Sequence, residues 1–160
     1  MTANGGHWMM AWHPPGGPPP QPPPGQPHGA NAFCLTSDGA VVLISPDGEH
    51  WGWPGGRPEP GESWEQVLRR EIAEEACVTV TVTAARLLGF VRSRCTGGHE
   101  EGLVLVRSIW RAEVAVLPWQ PAHEIPFRRV VPAADLAGQL WMEPGAEPVY
   151  ARAAREAGLA

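Results

Sequence analysis

Lysine is absent from this chain, and all twelve of its basic residues are arginine. Seventeen acidic residues outnumber them and give a formal net charge of −5. This argues against a general nucleic-acid-binding protein, because such proteins usually carry a basic surface. No apolar run is long enough to span a bilayer, and the N-terminus lacks the basic start and apolar core of a secretory signal. We therefore expect neither a nucleic acid nor a membrane as partner.

Cysteine is scarce, with Cys34, Cys77 and Cys95 widely spaced along the chain. Their number is odd, and no CxxC pair occurs, so neither a disulfide framework nor a zinc-ligand pattern is indicated. Reduced thiols are typical of the cytosol. The sequence therefore predicts a cytoplasmic protein.

Charged side chains are missing before Asp38, and residues 1–29 are rich in proline and glycine. Proline fixes φ and removes backbone donors, which predicts an extended, disordered tail over residues 1–29. A ligand for a proline-binding module is the other interpretation. The stretch HWMMAW, residues 7–12, leaves open whether its aromatic side chains pack onto the domain or a partner chain. Residues 30–160, rich in hydrophobic side chains, are predicted to form one domain with its own core.

Local patterns predict a mixture of strands and helices. Two apolar runs joined by Asp38-Gly39 indicate a β-hairpin. Ser63, with Gln66 three positions later, predicts a capping box at the start of a helix over residues 64–76. Further strands are expected over residues 78–94 and 102–119, and short helices over residues 132–141 and 146–160.

Three carboxylates crowd onto the predicted helix. Glu71, Glu74 and Glu75 stand at positions i, i+3 and i+4, so they project from one face and repel each other. A solvated acidic face is one interpretation. The other is a site for Mg²⁺, which prefers carboxylate oxygens and is often shared with substrate phosphates. Gly55 and Gly56 favour the second, because bare backbone lets a ligand or an ion approach closely.

These residues resemble the signature of the Nudix hydrolases, G-x5-E-x7-R-E-U-x-E-E-x-G-U, in which U is aliphatic. The chain has Gly56, then Glu62 after five residues, and Arg70-Glu71-Ile72 after seven more. Glu74 and Glu75 follow at the required spacing. One position departs from the pattern: Cys77 stands where the family has glycine. A glycine just past a helix end usually adopts a left-handed conformation. We therefore expect either that Cys77 adopts it at a steric cost of about 1 kcal/mol or that the helix ends at another residue.

The resemblance implies an α/β fold of the α+β kind, an α/β/α sandwich around a mixed β-sheet. It also implies hydrolysis of a nucleoside diphosphate linked to another group, with Mg²⁺ or Mn²⁺ as cofactor. The implied metal ligands are Glu71, Glu74, Glu75 and the backbone carbonyl of Gly56. Glu71 is alternatively the base that activates water, and Glu62 and Arg70 orient the cluster. The implied catalytic residues are Glu71 and Glu74.

Many relatives use one more acid from outside this motif, and Glu124 is our candidate for a catalytic role. The alternative for Glu124 is a solvated loop carboxylate. Glu100 and Glu101 are weaker candidates. Two pairs are candidates for substrate binding. Trp51 and Trp53 either stack on a base or belong to the core. Arg92 and Arg94 either bind phosphate or are solvated.

The substrate is not identified by the sequence. No proline or tyrosine occurs between Thr79 and Leu117, where some subfamilies of the resembled family carry one. A nucleoside triphosphate or a nucleotide-sugar is left as the expected small-molecule substrate. A non-catalytic nucleotide sensor is the alternative, and an isomerase of isoprenyl diphosphates is disfavoured by the lack of matching cysteine and histidine residues. A homodimer is compatible with the resemblance.

Overall fold

The computed structural model describes residues 7–81, 85–121 and 125–159, which form eight strands, three α-helices and one 3-10 helix, Ala133–Asp135. The strands are β1 (His7–His13), β2 (Gln26–Leu35), β3 (Val41–Ser45), β4 (Gly55–Gly56), β5 (Val78–Val80), β6 (Arg86–Gly97), β7 (Val104–Val116) and β8 (Phe127–Val131). The helices are α1 (Trp64–Ala76), α2 (Leu136–Gln139) and α3 (Glu147–Glu156).

The strands form a mixed sheet with the order β1-β6-β7-β2-β3-β8. Strands β2 and β7 run parallel, and the other neighbours are antiparallel. The short strand β4 adds to β2, opposite Ala30 and Asn31. At Ala30 and Asn31, strand β2 therefore has β7 on one side and the loop that leads into α1 on the other, whereas β3 pairs with its later residues.

Helix α1 begins where the capping pattern predicts. The Ser63 hydroxyl accepts a hydrogen bond from the backbone N–H of Gln66, whose side-chain oxygen accepts one from the Ser63 N–H. Both bonds satisfy donors that a helix start leaves without partners. The buried side of α1 carries Leu68, Ile72 and Ala76, which turns the acidic side towards β4.

Two apolar clusters cover opposite faces of the sheet. One joins α1 to alternate residues of β2, including Ala32 and Cys34. The other joins α3 to the residues between them, including Phe33 and Leu35. The period of two along a strand creates this division. The predicted α/β/α sandwich with a mixed sheet is confirmed.

The end of α1 keeps the left-handed conformation although no glycine is present. Cys77 caps the helix at φ 53° and ψ 50°, so the helix end has not shifted to avoid the cost. The guanidinium of Arg128 donates to the carbonyl oxygens of Ala76 and Leu117, at 2.9 Å each. The Ala76 carbonyl is one that the helix C-terminus leaves free, and Arg128 links it to the carbonyl that follows β7, which fixes the turn.

Cys77→Gly is therefore expected to raise the free energy of unfolding by about 1 kcal/mol, since glycine adopts this conformation without steric cost. Urea denaturation of both proteins measures the change. Cys77→Ala is the control, because alanine removes the thiol but retains the Cβ that causes the cost. An equal gain in both variants would contradict the conformational explanation.

The N-terminal boundary differs from the sequence expectation. Composition predicts a disordered tail over residues 1–29, whereas His7–His13 forms β1 and β2 already begins at Gln26. The physical reason is the alternation of Trp8, Met10 and Trp12, which turns their side chains towards the protein while the residues between them face solvent. Among the described residues, none of the helices has the length and apolar character needed to cross a membrane.

Candidate active site

Arg70 organises the acidic face of α1. Its guanidinium binds Glu62 through two parallel hydrogen bonds of 2.8 Å each. It also donates to Glu71 at 2.7 Å and to Glu74 at 3.4 Å, and it reaches the carbonyl oxygen of Arg57 at 3.0 Å. Charge-assisted, two-point binding of this kind fixes the guanidinium plane. The predicted orienting pair Glu62 and Arg70 is thus in contact, and it holds two of the three carboxylates.

The pKa of Glu62 lies well below its ordinary value of 4.5, at about 2, chiefly because Arg70 donates to it and also because the backbone of Glu59 does. A depressed folded-state pKa means that this carboxylate stabilises the fold above pH 4.5. The contribution is lost as the pH falls from 4.5 to 2. Glu62→Gln lacks this titration.

We therefore expect the free energy of unfolding of the wild-type protein to fall more steeply between pH 4.5 and pH 2 than that of Glu62→Gln. Urea denaturation at a series of pH values, without added metal, provides the comparison. Parallel curves for the two proteins would show that Glu62 has no special coupling to Arg70.

Glu75 lies apart from the arginine. Its carboxylate accepts a hydrogen bond of 3.0 Å from the backbone N–H of Gly55. Burial raises the pKa of Glu75 to about 7, with the nearby Glu71 and Glu74 adding to the rise, while the Gly55 bond and Arg107 oppose it. The loop before α1 thus holds the Glu75 carboxylate. The positive charge around it is too small to keep its pKa at the ordinary value.

Gly56 leaves the space in which Glu71 lies. A Cβ atom at position 56 would come within 2.2 Å of the Glu71 carboxyl carbon and 2.3 Å of one of its oxygens. The Gly56 carbonyl oxygen lies against Gly29, 2.3 Å from where a Cβ would stand there. The loop and the helix therefore approach each other so closely that only glycine fits at these positions.

The donor set fits a hard divalent cation. Three carboxylates on one helix face, one of them short of positive charge, are ligands that Mg²⁺ prefers and that its charge would stabilise. In the structure, Arg70 and Gly55 hold these three carboxylates, whose oxygens do not all lie within 4.8 Å of one another. Among the residues described, a separate group at the surface brings its ligand atoms within 4.8 Å of one another: Asp47, Glu49 and His50. Asp47 there accepts the backbone N–H groups of Glu49 and His50, which explains the group as a capped turn.

A cavity of about 610 Å³ lies on the α3 face of the sheet. At its β2 end it is lined by His28, Arg57 and Arg107, which the sequence analysis missed. Burial, Arg107 and Arg57 together lower the pKa of His28 to about 4, so it is neutral at pH 7. Arg107 donates to the side-chain oxygen of Asn31 and, within the described ranges, forms no salt bridge. Arg57 likewise forms no salt bridge with the residues that the structure describes. Two such arginines suit a phosphate group.

The cavity adjoins the acidic face of α1. The charges of Glu75 and Glu71 act on Arg107 and oppose the lowering of its pKa by burial. Gly29 and Gly56 lie between them. A Cβ at Gly29 would stand 3.2 Å from the Arg107 guanidinium and 2.3 Å from the Gly56 carbonyl oxygen, and a Cβ at Gly56 would meet the Glu71 carboxylate. Arg107 and Glu71 thus lie on either side of two glycines.

Of the predicted tryptophans, only one lines this cavity. Trp53 forms part of the wall, with its ring 4.5 Å from that of Phe33 and 5.0 Å from that of Tyr150. Trp51 is buried in the core, and the Arg129 guanidinium lies 4.1 Å above its ring. The structure therefore places Trp53 at the site and Trp51 behind it.

The predicted arginines lie elsewhere. Val91 and Ser93 of β6 line the cavity, so the alternate residues Arg92 and Arg94 project from the other face of the sheet. Arg92 donates to the Pro24 carbonyl oxygen at 3.0 Å.

The acids outside the motif have different outcomes. Glu100 lines the cavity, at the end away from α1. Glu101 lies in the exposed turn between β6 and β7. Glu124 lies outside the described residues, and its catalytic role stays a prediction.

Comparison with known proteins gives one family and many similar folds. A family model described as the NUDIX domain matches residues 25–153. A mutant of the Bacillus subtilis pyrophosphohydrolase BsRppH is 19% identical with a TM-score of 0.66, and the match covers 96% of this chain and 92% of that one. The MutT protein from Methanosarcina mazei Go1 is 18% identical with a TM-score of 0.61, covering 82% and 96%. At these identities the likeness concerns the fold. Comparison with curated proteins finds no match.

Proposed function

The chain belongs to the NUDIX family, and from this premise we propose that it is a metal-dependent pyrophosphohydrolase. Its substrate would be a nucleoside diphosphate linked to another group, of the nucleoside triphosphate or nucleotide-sugar type. The observation that carries the proposal is the junction at Gly29 and Gly56, which lie between the arginine-lined end of the cavity and the Glu71 carboxylate of α1. Pyrophosphate cleavage needs both: cations for the phosphates and carboxylates for a metal and a water.

The chain's own residues divide into three roles in this proposal. Glu71, Glu74 and Glu75, with the Gly56 carbonyl, would hold Mg²⁺, or Mn²⁺ in its place. When bound, such an ion neutralises charge on the phosphates and acidifies water. Arg70 and Glu62 hold Glu71 and Glu74 in position, and the catalytic roles of Glu71, Glu74 and Glu124 stay proposals.

Arg57 and Arg107 would bind the phosphates. The Arg57 backbone carbonyl accepts from Arg70, while its side chain lines the cavity, so one residue connects the two halves of the site. His28 is neutral at pH 7 and can donate one hydrogen bond without adding charge. Trp53 and Tyr150 also line this cavity, with their rings 5.0 Å apart, and form an aromatic part of its wall.

The proposed setting is the cytosol. Cys34, Cys77 and Cys95 are free in the structure, as expected for a reducing compartment. A small nucleotide is the proposed partner, and the homodimer stays a prediction.

A substrate panel tests this function. Release of phosphate, pyrophosphate and nucleoside monophosphate is measured with nucleoside triphosphates, oxidised nucleoside triphosphates, ADP-ribose, dinucleoside polyphosphates and nucleotide-sugars. Each is tried with Mg²⁺, Mn²⁺ or EDTA. We expect turnover of one class that EDTA abolishes. No turnover of any compound, together with a higher melting temperature in the presence of a nucleotide, would indicate a non-catalytic sensor instead.

A further inference from the structure

The N-terminal strand lies before the segment that matches the family, residues 25–153, yet it contributes to the cavity. We propose that β1 is part of the substrate site, with Trp8 as the aromatic surface on which the nucleobase stacks. Met10 would contact the base beside it. This inference rests on the proposed function and adds to it that β1 recognises the base of the substrate.

The pairing of β1 sets the direction of its side chains. Strand β1 runs antiparallel to β6, with Trp8 opposite Cys95 and Met10 opposite Ser93. His7, Met9 and Ala11 are exposed, whereas Trp8 and Met10 are half-buried and line the cavity. The strand thus presents one face to solvent and one to the site.

The cavity crosses four strands in the order β1-β6-β7-β2. Three strand spacings correspond to about 14 Å. Trp8 and Met10 lie at the β1 end. His28 and Asn31 of β2 and Arg107 of the adjoining β7 lie at the other end, where Glu75 and Glu71 act on Arg107. A ligand with a planar ring at one end and phosphates at the other matches this order of groups, as a nucleoside diphosphate does.

Trp12 anchors the strand. Its indole lies over Gly89 of β6, where a Cβ atom would come within 2.4 Å of the ring. At the other end of β1, the Thr96 hydroxyl donates to the His7 carbonyl oxygen at 3.2 Å. Trp8 is therefore held between two fixed points, so a base can stack on it without first ordering the strand.

The test uses the full chain with Trp8→Leu and Trp8→Phe, which have similar bulk and differ in aromatic character. Met9→Ala is the matched control, because Met9 is on the same strand with 68% of its surface exposed. Calorimetry with AMP and GMP, without metal, measures binding of a base. Ribose 5-phosphate has the same phosphate but no base.

We expect Trp8→Leu to weaken AMP and GMP binding about tenfold or more, because base stacking on an aromatic side chain is worth that much. Trp8→Phe and Met9→Ala should bind within about twofold of wild type, and ribose 5-phosphate should not distinguish the proteins. In hydrolysis, Trp8→Leu should raise KM with little change in kcat.

Unchanged AMP and GMP binding in Trp8→Leu would overturn this inference but would not contradict the proposed hydrolase function. An equal loss in Met9→Ala or in Trp8→Phe would also overturn it, since the strand and not the aromatic ring would then be responsible. Trp8-dependent binding of AMP in a protein that hydrolyses nothing would instead support the base site and contradict the proposed hydrolase.

Discussion

Glu75→Gln should reduce metal-dependent hydrolysis by at least about 100-fold, the size of effect seen when one group that stabilises a transition state is removed. The amide oxygen of glutamine still accepts the hydrogen bond from Gly55, so the loop and helix keep their contact. What is lost is the charge that would bind the cation. Glu74→Gln should have a similar effect, and steady-state kinetics with Mg²⁺ measures both.

The stability of the Glu75→Gln variant should change in the opposite direction. Because burial and two neighbouring carboxylates raise the pKa of Glu75 to about 7, the ionised form is unfavourable in the folded protein without metal. Above pH 7 this cost is fully present, and glutamine removes it. In EDTA at pH 8 the variant should therefore melt no lower than wild type.

Glu65→Gln is the matched control, since Glu65 is on the same helix and pairs with Arg69 at 3.3 Å, away from the cluster. It should keep wild-type activity. Full activity of Glu74→Gln and Glu75→Gln would contradict the metal-site assignment, and an equal loss in Glu65→Gln would show a general effect of charge on the helix.

Gly56→Ala is expected to lower activity by at least about 100-fold, because displacement of a catalytic group by about 1 Å can have this effect. The added methyl group would overlap the Glu71 carboxyl group, 2.2 Å from its carbon. Glu71 would have to leave its place beside Arg70, or β4 would have to separate from α1. Both changes disturb the carboxylate cluster, and steady-state kinetics measures the result.

Gly52→Ala provides the control for that substitution. Gly52 is in the same loop region, and a Cβ atom there would meet nothing within 4 Å. It should retain activity and stability. Wild-type activity in Gly56→Ala would show that the close approach of the loop to Glu71 is not required.

Local signals explain how much of the site was predictable. The capping box of Ser63 and Gln66 and the spacing of the carboxylates are properties of a short segment, so α1 and its acidic face follow from the sequence. The hairpin around Gly39 does so as well, since that residue has φ 81°. Arg70 and Glu62 are eight positions apart but meet because the loop and helix form one unit.

Long-range pairing explains what the sequence did not show. The arginine-lined end of the cavity depends on β2 and β7 lying side by side, although the pair Asn31 and Ile109 is far apart in the chain. Successive side chains of β6 point to opposite faces of the sheet, and in the structure Val91 and not Arg92 faces the cavity. The proline-rich composition predicted a disordered tail where β1 forms. The place of β1 in the sheet is determined by its pairing with β6 and not by composition.

Manganese binding, followed by electron paramagnetic resonance, tests the central claim most directly, because it detects the cation site without depending on any substrate. The proteins are wild type, the double variant Glu74→Gln with Glu75→Gln, and Asp47→Asn, which disrupts the exposed group of Asp47, Glu49 and His50. We expect wild type and Asp47→Asn to bind Mn²⁺ and the double variant to lose it. Undiminished binding in the double variant, or its loss in Asp47→Asn, would contradict a metal site on α1.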